Sequence, residues 1–176
     1  MSTQVSKTVV PFTAERVTLS STKPAKDVLA ALDAEVRNDK DNNVVQMIFS
    51  ARNKDQLEQG MSNLTDGKRD FISFLALSHS EWLTTYFGGQ RKFLEAHVYT
   101  IGNPLIAQTM LQHDLTAGLH VPPKLLVLEL EGGKGTSILY DLPSSVILAG
   151  KEDADLKKAA GKLDEKFEDM VRKVLG

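Results

Sequence analysis

Five places in the chain put chemically capable side chains at spacings that would let them act together. Glu95, His97 and Tyr99 alternate along a run that reads as a strand, so all three share one face. A histidine and a carboxylate two residues apart on a cleft-lining face can do general acid/base work. The same alternation leaves Leu94, Ala96 and Val98 as the set expected to face the core. Gly102-Asn103-Pro104 is the second place. There asparagine accepts a hydrogen bond from an orphan N–H and proline pre-sets φ, which reads as a helix cap. The sharper alternative is a ligand site, with the helix N-terminus receiving an anion and Gly102 permitting close approach. Tyr140 and Asp141 end a strand but point to opposite sides. Asp141 organises the following turn, and Tyr140 stands as a further acid/base candidate. His79, Glu81 and Trp82 gather where another strand ends, with Trp82 placed to cover an apolar mouth. His113-Asp114 and His120 bracket one loop. Their spacing matches no established zinc pattern, and a helix C-terminus favours histidine in any case.

The elements that must position these residues follow from periodicity. Strands are expected over 12–19, 71–77, 93–101, 125–131 and 136–142. Apolar residues at helical spacing predict helices over 23–37, 53–64, 104–113 and 154–175, with a short helix ending at Tyr86. Residues 1–10 read as a flexible arm ahead of one domain over 11–176. Residues 44–67 read as a helical insertion. Gly132-Gly133-Lys134-Gly135 joins two strands, so it is a hairpin turn and not a phosphate loop.

Composition narrows the chemistry. The chain has 176 residues, 41% of them hydrophobic and 25% charged, with a net charge of −2 and no cysteine. That length supports one core without disulfide or metal staples. The absence of cysteine removes thiolate catalysis, iron–sulfur clusters and Cys-type zinc sites. No nucleophile elbow, Walker loop or dinucleotide fingerprint is present, so neither metal nor cofactor is expected. The charge balance lacks the basic face that nucleic acid would require. No apolar run approaches bilayer length, and no secretory signal is recognisable. The expectation is a cytoplasmic protein with neither nucleic-acid nor membrane partners.

Adding the elements gives an α+β single domain, a curved antiparallel sheet packed against a long C-terminal helix with a cleft between them. At this point the wording resembles a known family. Gly102-Asn103-Pro104, the segment from Leu119 to Pro123 before an apolar strand, the glycine hairpin and Tyr140-Asp141-x-Pro143 are similar to the domain of unknown function 302. His113-Asp114 and Pro143-Ser144-Ser145 resemble its fungal branch. The resemblance covers about 70–148 and extends over 12–37, whereas 44–67 departs from the compact bacterial pattern. It implies a TATA-box-binding-protein-like, helix-grip fold and frequent homodimers, but no activity.

Three functions remain open from the sequence. The first is binding of a small apolar or mixed ligand in the sheet–helix cleft, near Gly102, Asn103, Tyr99, Trp82 and His79. The second is a cofactor-independent isomerase, cyclase or lyase using His97, Glu95 or Tyr140. The third is a dimeric structural or interaction module whose cleft its own side chains fill.

Overall fold

The computed structural model describes residues 3–176. Five strands form one antiparallel sheet: β1 (Arg16–Ser21), β2 (Ile72–Ser78), β3 (Ala96–Gly102), β4 (Lys124–Glu129) and β5 (Thr136–Asp141). The spatial order is β1-β5-β4-β3-β2. Strands β2 to β5 therefore meander between sequence neighbours, and β1 closes the far edge against β5. The helices are α1 (Ala25–Glu35), α2 (Val44–Ser50), α3 (Lys54–Thr65), α4 (His79–Tyr86), α5 (Pro104–Leu111), α6 (Pro143–Leu148) and α7 (Ala154–Leu175). Short 3₁₀ turns occupy Leu115–Leu119 and Glu131–Gly133.

Helix α7 organises the core. Asp153 caps it, its carboxylate accepting from the Leu156 N–H at 2.8 Å. Arg172 and Lys173 sit in its last turn, where cations complement the helix dipole. Leu156, Ala160, Leu163, Phe167, Val171 and Val174 are all buried, a stripe at 3–4 spacing laid against the sheet. Val28, Leu32 and Val36 from the α1 segment join that core, as do Met110 of α5, Ile147 of α6 and the inward residues of β3, β4 and β5. A second, smaller cluster ties α2 and α3 to the sheet edge through Val44, Met61, Leu64 and Ile72. Segment 44–67 holds the two helices α2 and α3, broken at residues 51–53.

Three expectations need correction. Residues 12–15 carry no strand, because β5 ends at Asp141, opposite Arg16. The chain leaves β5 through the helix α6, with Pro143 in its first turn, and not through a plain turn. On β3 the face assignment is reversed. Tyr99 and Ile101 are buried, whereas Leu94 is 45% exposed and Val98 half-buried. The helices lie over the face bearing His97, Tyr99 and Ile101, so position relative to α1 and α7 decides burial, not side-chain polarity.

The other sheet face carries a row of cross-strand neighbours, Leu77, Val98, Leu126 and Leu139. Leu77 is exposed and the other three are half-buried. Of the expected arm, residues 1 and 2 lie outside the described residues, and residues 3–10 are exposed without regular structure.

Candidate functional site

Gly102, Asn103 and Pro104 sit where β3 gives way to α5. The Asn103 side-chain oxygen accepts from the Leu105 N–H at 2.9 Å, and its amide donates to the Asp70 carbonyl at 3.1 Å. The Ile106 and Ala107 N–H groups both donate to the Asn103 carbonyl, at 3.0 and 2.9 Å. Pro104 has no N–H. Every donor of this first turn is committed, so an anion would find none free. A Cβ at Gly102 would stand 2.8 Å from Cβ of Pro122. The glycine is there to let the 121–123 loop press onto the end of β3.

That close approach leaves an apolar cavity of about 160 Å³ beside it. One wall is α5, through Ile106, Ala107, Met110 and Leu111. Val121, Pro122 and Pro123 form the second, Phe71 and Phe74 the third, and Ile48 of α2 and Leu163 of α7 complete the lining. It is half open to solvent and its lining is almost wholly apolar. Asn103 is the single polar side chain in the lining, and its polar atoms are already bonded. The expected cleft directly beneath α7 is filled instead. Phe167 lies edge-on to both Phe71 and Tyr140, with ring centroids 5.7 and 4.9 Å apart.

The remaining sequence candidates fall elsewhere. His97 Nε2 lies 2.6 Å from a Glu95 carboxylate oxygen, and the Ser80 hydroxyl donates to that same oxygen at 3.2 Å. Glu95 is therefore the hub that orients both neighbours, and the order Ser–Glu–His differs from a nucleophile–base–acid relay. Neither His97 nor Glu95 lines the α5 cavity. The Trp82 indole donates to His79 Nδ1 at 3.0 Å on the exposed flank of α4. The Tyr99 hydroxyl donates to Asp33 at 2.7 Å, a half-buried link between β3 and α1. Burial first, and the Asp33 carboxylate second, push its ionisation well above the usual range.

His113, Asp114 and His120 do not converge. Asp114 caps the following 3₁₀ turn, accepting from the N–H and hydroxyl of Thr116 at 2.8 and 2.7 Å, and pairs with Lys151. Those bonds, led by Lys151, hold its carboxyl down at about 2. His120 lies edge-on to Phe12 with centroids 6.5 Å apart. Among the described residues no group of three or more His, Asp or Glu is placed to hold a metal.

Tyr140 yields a prediction. Its side chain is buried in the core, and its hydroxyl has no hydrogen-bond partner among the described residues. Burial pushes its ionisation up to about 12, with Glu168 and Asp164 adding to the effect. An unpaired buried hydroxyl costs about 1–3 kcal/mol. Tyr140→Phe should therefore be neutral or raise the melting temperature by a few degrees. Because the folded state holds this proton more tightly than the unfolded state, wild-type stability should fall as pH rises from 10 to about 12. The variant should lose less across that window. Thermal melts from pH 8 to 12 read both effects, and a variant several degrees less stable at pH 8 would show that the hydroxyl is bonded after all.

Fold and cavity together define a two-layer α+β domain, helices on one sheet face and a small apolar pocket at the edge of the helical layer. A model of the family described as Domain of unknown function DUF302 matches residues 55–174, and the chain belongs to that family. The match begins within α3, so most of that helix is part of the matched region. Among solved structures, the uncharacterized conserved protein DUF302 from Bacillus stearothermophilus is similar at 16% identity and a TM-score of 0.60. The match covers 90% of this chain and 96% of that one. At that identity the likeness shows the fold. No curated protein matches the chain. Among the described residues, no helix is long and apolar enough to cross a membrane.

The sequence suggests Gly102, Asn103, Tyr99, Trp82 and His79 for a ligand; the first two line the cavity and the other three do not. It missed Ile48, Phe71, Ala107, Met110 and Pro122. The one available signal was the double proline, which brings two rings and no N–H to a turn.

Proposed function

We propose that this protein binds a small apolar molecule in the cavity between α5, the 121–123 loop and Phe71. The observation that carries the reading is an almost wholly apolar space of about 160 Å³, half open to solvent, at the edge of the core. An engineered apolar cavity of ~150 Å³ in another protein stays dry and takes benzene. The test is methyl-detected NMR of the protein titrated with a panel of small hydrocarbons. Shifts confined to Ala107, Met110, Ile106 and Leu163 are expected. A panel without any such shift would end the reading.

The acid/base alternative draws support from the His97–Glu95 contact, but those residues sit away from the cavity. A second reading, compatible with the first, is a homodimer formed through the open sheet face. The Leu77–Val98–Leu126–Leu139 row supports it, and Arg16, Lys124 and Asp141 lie together beside that row. Arg16 and Asp141 already pair with each other within the chain at 2.7 Å, which leaves the apolar row as the surface a two-fold copy would cover. Leu126→Lys should convert a dimer into a monomer in light scattering. A wild-type chain that is monomeric at ~100 μM would remove this reading. The strand order also supports the TATA-box-binding-protein-like, helix-grip description. The fungal-branch assignment rests on the His113-Asp114 and Pro143-Ser144-Ser145 wording alone. The cytoplasmic assignment rests on the composition.

A further inference from the structure

Resting on the cavity reading above, we propose that the pocket selects an aryl group, a single six-membered aromatic ring held without any hydrogen bond from its walls. Three observations converge on this. First, size: about 160 Å³ matches one ring and is short for an extended chain. Second, wall chemistry: Pro104, Pro122 and Pro123 supply no N–H, and the Leu105, Ile106 and Ala107 N–H groups are spent on Asn103. Polar substituents must therefore stay at the solvent mouth, because a polar group sealed inside would lose water and gain no partner.

Third, the core already contains an edge-to-face series that stops at this wall. Tyr140 meets Phe167 at 63° and Phe167 meets Phe71 at 74°. Phe71 then borders the cavity, so a ring bound there becomes the fourth member of the series. Phe74 offers a second aromatic surface and Met110 a thioether, which favours ring edges. An aliphatic molecule of equal size gains the burial but not the directional ring contacts.

The experiment compares toluene with methylcyclohexane, seven carbons each, and with n-hexane, by NMR titration of the full chain. Toluene should bind roughly three- to tenfold more tightly than either aliphatic, with nuclear Overhauser contacts to Phe71 and Met110. Ala107→Leu, which fills the cavity from α5, should abolish toluene binding while keeping the wild-type melting temperature or raising it. Should that variant fail to fold, the Overhauser contacts in the wild-type protein decide the location alone. Equal or tighter binding of methylcyclohexane would overturn aryl selection and leave the apolar pocket standing. Binding of none of the three would overturn both.

Discussion

Gly135→Ala should yield little folded protein, with a loss of more than about 3 kcal/mol, far outside the usual range for a surface turn. Gly135 is buried at φ +113°, and a Cβ there would fall 2.0 Å from the Ser21 carbonyl oxygen and 2.7 Å from Cα of Thr22. Both obstacles are backbone, so no rotamer change relieves them. The same few residues hold three segments together. The Leu130 N–H donates to the Gly135 carbonyl at 2.8 Å, and the Thr136 hydroxyl donates to the Lys23 carbonyl at 2.8 Å. Displacing Gly135 therefore disturbs the β4–β5 connection and the exit of β1 at once. Gly132→Ala is the control. Its φ is +70° but nothing lies within 4 Å of its Cβ position, so it should cost only about 1–2 kcal/mol. Urea midpoints of the two variants measure the difference. Equal midpoints would refute the close backbone approach.

Phe167→Ala is the second large effect, expected at about 3–5 kcal/mol. Phe167 is fully buried, and its ring separates Phe71 from Tyr140. Truncation removes two edge-to-face contacts and opens a void that helix and sheet cannot collapse to fill without moving. Phe71 would also lose the neighbour that holds its ring against the α5 cavity. The variant should therefore bind small apolar molecules differently even under conditions where it remains folded. Phe167→Leu should recover most of the stability and none of the ring contacts. A Phe167→Ala urea midpoint close to wild type would show that the core is loosely packed about this ring.

Local signals in the sequence were legible, and long-range ones were not. Asn103-Pro104 announces α5, and the stripe from Leu156 to Val174 announces α7, because caps and 3.6-residue periods are written within a few residues. The glycine cluster marks the β4–β5 connection for the same reason. The facing of β3 was illegible. His97 and Tyr99 are polar enough to read as solvent-facing, and what lets Tyr99 turn inward is a partner unseen from its neighbourhood. Asp33, 66 residues away, takes the Tyr99 hydroxyl. Helix α6 escaped notice because Pro143-Ser144-Ser145 looks like a turn and the helix has six residues. The cavity was harder still. Its walls come from Ile48, Phe71, the 102–111 stretch, the proline loop and Leu163, and nothing in any one of those segments encodes an empty space between them.

The pairing of β1 with β5 has a consequence for synthesis. Arg16 lies opposite Asp141, 125 residues further along the chain. Strands β2 to β5 each find a neighbour soon after leaving the ribosome, since consecutive strands in the meander pair directly. Strand β1 emerges first and pairs last. At roughly 5–20 residues per second, it waits on the order of ten seconds for its partner to be translated. Through that interval the segment Arg16–Ser21 lacks the strand it pairs with, whereas α1 meets β2, β3 and β4 as they emerge. The nascent chain is then open to chaperones and proteases at β1.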